Sequence, residues 1–206
     1  MVVSSPNYYD VGLSIGSNGM RFQRQTIGLL CGFVAIASFV VLYATAVWLD
    51  TKYVFGENYL SDLGVREGAW AFNAGVIIAG ALFVPFALLG IRPSLGRTGI
   101  DVVSVALMVI AGLFLVSIGI FTEDAGDLHG FVSYGFFLTM LFSLGFLSYS
   151  FHRSGPNGRT RAIVALAAFV LGLALLPFGG TPLVETIAVL SILVWGLLVG
   201  LLLLRR

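Results

Sequence analysis

Six stretches of the chain stay apolar long enough to cross a bilayer, and the polar residues gather at the joints between them. A spanning helix needs about 20 mostly apolar residues. Candidates lie near 27–49, 69–91, 100–121, 129–151, 162–178 and 183–203. The fifth is the shortest, with its expected end at Pro177. Pro and Gly punctuate joints such as Arg92-Pro93-Ser94-Leu95-Gly96-Arg97 and Arg153-Ser154-Gly155-Pro156-Asn157-Gly158-Arg159, as expected of helix–helix connections. The pattern predicts an all-α polytopic membrane bundle of about six transmembrane helices, with one membrane domain over 26–206. Residues 1–25, rich in Ser, Asn, Gly and Tyr, are expected to form a poorly ordered tail. Ala44-Thr45-Ala46 resembles a signal-cleavage site, but the apolar run before it exceeds the roughly 7–15 residues of a signal core, so the first span is retained.

Composition gives the same answer from another side. Of 206 residues, 58% are hydrophobic and 10% charged, whereas a soluble domain carries about 25% charged residues. A chain so poor in charge cannot face water all round, so lipid must solvate much of it. The net charge of +1 provides no field for nucleic acid. One cysteine, Cys31, excludes an internal disulfide framework.

Arginine placement predicts the orientation. Arg21, Arg24, Arg92, Arg97, Arg153, Arg159, Arg161, Arg205 and Arg206 fall on one side of a six-span arrangement, against Lys52 and Arg66 on the other. Basic residues mark the cytoplasmic side, so both termini are expected there. Asp50, Glu57, Asp62, Glu67, Glu123, Asp124, Asp127 and Glu185 all fall at the opposite, outer face. Gly96-Arg97-Thr98 recurs as Gly158-Arg159-Thr160; convergence of short cytoplasmic loops is a simpler explanation than duplication.

Other features read as packing. Small residues in the spans let helices approach closely, and Pro85 predicts a kink in the second helix. Tyr43, Trp48, Tyr53, Trp70 and Tyr149 sit where amphipathic rings anchor at interfaces. Trp195 is deeper and is expected to pack, and Asp101 suits the start of the third helix.

Candidate chemistry is concentrated at the outer face. The first loop carries Asn58, Ser61 and Asp62, and Asn73 lies about one turn inside the second span. An acidic turn containing Glu123 and Asp124 precedes His129, and Ser133 shares its helix face at a spacing of four. Glu185 opens the sixth span. Ionisable groups at membrane depth are costly and usually face a bundle interior or a wet cavity. Asp62, Asn73, His129 and Glu185 therefore predict a shared polar cluster around an outward-opening pocket, roofed by the Asn58–Asp62 loop. For Glu57, Glu67 and Asp127, simple solvation among headgroups is the better reading, and Asp124 is balanced between the two.

In such a cluster His129 can serve as general base beside Asp62 and Glu185, with Ser133 one turn away as a nucleophile. Asn58, Ser61, Asn73, Asp124 and Ser133 are candidate ligand-binding residues. Calcium suits the carboxylates better than zinc, for which one histidine is thin, and no metal is assigned. No cofactor is expected: His152, at the far end of the helix that carries His129, is the only other histidine, which argues against b-type haem. No phosphate-binding glycine loop, CxxC pair or Gly-x-Ser-x-Gly elbow occurs.

The run Asn58-Tyr59-Leu60-Ser61-Asp62-Leu63-Gly64, then Phe72-Asn73, then the acidic turn before His129, then Glu185, resembles the prokaryotic membrane proteins called domain of unknown function 998. The resemblance spans roughly residues 27 to 203 and implies six spans in this order, with no assigned activity. It also exposes one departure: the family's last-span Glu is often followed by Arg, where this chain has Thr186.

Three functions follow in order of preference. The first is a cell-membrane protein whose outer pocket binds a lipid headgroup or small solute, or serves a structural role, with membrane lipid as partner and no nucleic acid. The second is an intramembrane hydrolase or transferase acting on a lipid-linked substrate, with His129 as general base and Asp62 or Glu185 orienting it. The third is a small transporter, placed last because the spans hold little polar beyond Ser104, Ser117, Thr139 and Ser143.

Overall fold

A computed structural model describes residues 8–156 and 158–205. Six helices follow in order: α1 (Tyr8–Leu49), α2 (Ala69–Pro85), α3 (Gly99–Ile120), α4 (Asp127–His152), α5 (Gly158–Leu175) and α6 (Pro182–Leu204). Among the described residues there is no strand. All six are long and apolar enough to cross a membrane, so the protein is a multi-pass membrane helix bundle. The helix bearing the first span begins at Tyr8, so the expected N-terminal tail is helical from Tyr8 to Gln25; residues 1–7 lie outside the described residues. Gln25 Nε2 donates to the Gly90 carbonyl at 3.1 Å, tying this stretch to the end of the second span.

Local chemistry sets the ends. Thr98 and Asp101 form a reciprocal capping box that starts α3, the Asp101 carboxylate accepting the Thr98 N–H at 2.9 Å and its hydroxyl at 2.8 Å. Gly126, at φ +60°, turns the chain into α4, and Pro182 opens α6, where its missing N–H has no helical partner to lose. Thr160 lies inside α5, unlike the capping Thr98, so the two Gly-Arg-Thr turns differ in geometry. The expected disturbance at Pro85 takes the form of a π-helical turn, Phe86–Ile91. Pro85 cannot donate to the ladder, and the backbone re-forms its hydrogen bonds in a wider register.

Each helix packs mainly against its sequence neighbours, and α6 closes the ring onto α1. Loops 50–68, 121–126 and 176–181 meet at one end, here the acidic end; loops 92–98 and 153–156 lie at the opposite, basic end. Close crossings use glycine: a Cβ on Gly28 would fall 2.2 Å from the Gly90 nitrogen, and one on Gly80 2.6 Å from the Val116 nitrogen. The basic half holds a continuous core including Ile91, Met108, Leu147, Phe151 and Trp195. Trp195 is 1% exposed and meets Phe86 edge to face, the packing role expected from its depth. Trp48 and Trp70 are exposed, as interfacial anchors would be, whereas Tyr43 and Tyr53 turn toward each other, hydroxyl to hydroxyl at 3.3 Å.

Candidate functional site

The acidic end is assembled by contacts between distant loops. Asn58 accepts the Val54 N–H at 2.8 Å and closes its own small loop around Gly56, whose φ of +82° suits glycine. The Tyr59 hydroxyl donates to the Gly180 carbonyl, joining the first loop to the third. Leu60 and Leu63 bury themselves against Phe72 and Val76, seating the 3-10 turn Ser61–Gly64 on the bundle. Asn73 Nδ2 donates to the Gly64 carbonyl at 2.9 Å and holds the far side of that turn.

Glu185 reaches the same turn from α6. Its carboxylate accepts the Leu60 N–H at 2.7 Å and also bonds the Ser61 backbone. These N–H groups lead into a short helix, where a carboxylate is favoured electrostatically and as an acceptor. Asp62 pairs with Arg66 at 3.0 Å, and Arg66 also lies 3.7 Å from Asp50, which is 3% exposed. On its other side Asp62 hydrogen-bonds Glu123. Burial, then the hydrogen bond and charge of Asp62, raise the Glu123 carboxyl above the usual carboxylate range; His129 and Arg66 oppose this.

His129 is oriented by backbone. Its Nδ1 lies 2.8 Å from the Phe121 carbonyl, and its Nε2 lies 3.3 Å from Ser133 Oγ. A carbonyl only accepts, so Nδ1 carries a proton, and in neutral imidazole Nε2 receives the Ser133 hydroxyl proton. The group orienting His129 is thus the Phe121 carbonyl, rather than the Asp62 or Glu185 carboxylate.

Beside this cluster a cavity of about 400 Å³ runs between α4, α5 and α6. Tyr59, Ser61, Glu123, His129, Ser133 and Glu185 line its polar mouth, and the remainder is largely apolar. A smaller void of about 90 Å³, toward α1, α2 and α3, shares Ser61, His129, Ser133 and Glu185 with it. Phe137 and Ile192 are shared as well, so the two spaces adjoin along a wall that includes the cluster.

Of the candidate residues, Asp62, His129, Ser133, Ser61 and Glu185 meet in one cluster. Asn58 and Asn73 support it from outside the cavity lining. Asp124 is exposed and takes the Thr122 hydroxyl, while its neighbour Glu123 turns inward. Glu57, Glu67 and Asp127 are exposed. Among the described residues, no three His, Cys, Asp or Glu side chains are grouped to hold a metal.

Two participants had weaker sequence signals. Arg66 counted only toward topology; it lies just past the 3-10 turn that carries Asp62, at a spacing of four that brings the two side chains together. The Tyr59–Gly180 contact has no local signature, its partners being 121 positions apart.

No curated protein and no solved structure matches the chain. The model of the family described as "Protein of unknown function (DUF998)" matches residues 33–202, and the chain belongs to that family.

Proposed function

We propose that this DUF998 protein binds a lipid-like amphiphile at the outer face of the cell membrane, with the polar part among Ser61, Glu123, His129, Ser133 and Glu185. The cavity between α4, α5 and α6 carries this reading. Protein interiors are packed about as tightly as organic crystals, and a space of this size with a polar mouth and apolar walls has the form of a ligand site. The excess of arginine at the basic end supports placing that end, and both termini, in the cytoplasm. Hydroxyls within the spans argue against a transport pathway. Ser104, Ser117, Thr139 and Ser143 all donate to backbone carbonyls, so the protons of these four hydroxyls are committed within the bundle.

The test is lipid extraction from wild type and Ala188→Phe purified in mild detergent, with mass spectrometry of the extract. Ala188 lines the cavity, so a phenyl ring there would occupy it. The expected result is an amphiphile in near-equal proportion to wild-type protein and absent from the variant at equal folded yield. Identical lipid content in both would sink the proposal.

A second reading, a hydrolase acting on a lipid-linked substrate, has one specific observation in its favour. Ser133, His129 and the Phe121 carbonyl form a nucleophile, base and orienting acceptor in series. Against it, the nearby Leu60 and Ser61 N–H groups are engaged by Glu185 and are not free to stabilise an oxyanion. Membrane-lipid turnover by wild type that vanishes in Ser133→Ala, with the bound amphiphile retained, would favour this second reading. Unchanged lipids in both would leave binding as the function.

A further inference from the structure

We infer that the preferred occupant of the cavity is a single-chain amphiphile whose headgroup is a protonated amine. This rests on the reading of the cavity as an amphiphile site and adds the chemistry of its ligand.

Shape comes first. On α4 the lining runs from His129 to Leu144, a difference of 15 positions, or about 22 Å of rise. That is well over half of the roughly 30 Å hydrocarbon thickness of a bilayer. On α5 and α6 the lining covers only about 12 Å, so the space of about 400 Å³ narrows with depth along α4, a shape suited to a single chain. Below the mouth its walls include Phe137, Leu141, Leu144, Ala168 and Ile192, which offer an alkyl chain contact and no polar partner. Tyr134, 66% exposed, also lines the slot, as do the exposed Leu138 and Leu176. These residues put an edge of the slot on the lipid-facing surface, so a chain can pass in sideways from the bilayer.

Charge decides the headgroup. Glu123 and Glu185 line the mouth, and Asp62 shares a proton with Glu123, so that pair presents one negative charge between them. Neither Lys nor Arg appears in the cavity lining among the described residues. Arg66 is engaged with Asp62 and Asp50, and Lys52 is exposed outside the lining. A phosphate here would meet like charge with no lysine or arginine to hold it. An ammonium brings one positive charge and three donors to a site that offers carboxylate and hydroxyl acceptors.

The experiment is native mass spectrometry of the full chain with four single-chain probes of equal chain length. They are a primary alkylamine, a neutral monoacylglycerol, a zwitterionic lysophosphatidylcholine and an anionic lysophosphatidic acid. The amine is expected to bind tightest, on the order of tenfold over the neutral probe, with the anion weakest. Glu123→Gln should narrow the amine preference while neutral binding persists; if that variant does not accumulate, the wild-type ranking alone decides. Equal binding of all four, or tightest binding of the anion, together with loss of binding in Ala188→Phe, would overturn the amine headgroup and leave the amphiphile site standing. No binding of any probe, or binding indifferent to Ala188→Phe, would overturn both.

Discussion

The two halves of the bundle solve the same membrane problem in opposite ways. In the basic half, polar groups are capped locally or bonded between adjacent helices, and the space between is filled: Asp101 caps α3, Ser143 donates to the Ser104 carbonyl, Ser148 to the Ala162 carbonyl, and Trp195, Phe151 and Leu147 pack between the helices. In the acidic half, polar groups from four parts of the chain converge on a turn and on one another, beside a space that side chains leave open. In both halves most buried polar groups find partners, the indole N–H of Trp195 in the basic half being an exception. The acidic half combines unfilled volume with titratable groups, which makes it the place to look for a ligand.

The largest effect expected from probing this contrast comes from truncation in the filled half. Leu147→Ala should lower stability by on the order of 2 kcal/mol, the low end for such changes because lipid also solvates leucine in the reference state. Ala188→Phe, which adds volume in the open half, should leave the thermal midpoint close to wild type. A comparable loss in both variants, read by thermal unfolding in one detergent, would erase the distinction between the halves.

Next is the ion-pair hub. Arg66→Met leaves the buried Asp50 with the Lys52 N–H but no opposite charge, at a cost of about 1 kcal/mol once the 33% exposure of the Arg66 side chain is allowed for. Adding Asp50→Asn should restore most of the loss. Absence of rescue in the double variant would show that Arg66 acts through Asp62 or through packing.

The smallest effect sharpens the picture of the cluster. The folded state holds the Glu123 proton more tightly than the unfolded chain, so this group's contribution is fully present below the ordinary glutamate pKa. It is lost as pH rises through the raised value. Glu123→Gln should match wild type in acid and be slightly more stable near neutral pH, with a flatter pH profile. A profile identical to wild type would remove Glu123 from the titrating cluster.

Much of the architecture could be read along the chain. Run length and charge scarcity are local quantities, and lipid demands that each span satisfy its own backbone, so six helices and their joints follow almost directly. The π-helical turn after Pro85 was half legible: proline marks the break, but the register adopted afterwards depends on what packs there, including Phe86 against Trp195. In the candidate site, the spacing of His129 and Ser133 on one helix was enough to pair them. The choice between Glu123 and Asp124 was not, because adjacent carboxylates are equivalent in sequence and differ only in which one faces Asp62.

By itself, then, the sequence determined that the protein is a six-span bundle with eight of its ten acids and its few unusual polar side chains at one end. That end's internal arrangement was decided only by the tertiary structure. Glu185 meets the Leu60 N–H across 125 positions, Tyr59 meets Gly180 across 121, and α4, α5 and α6 leave a slot between them. The physical reason is that hydropathy acts residue by residue, whereas hydrogen-bond partnership and unfilled volume belong to sets of residues that only helix packing brings together.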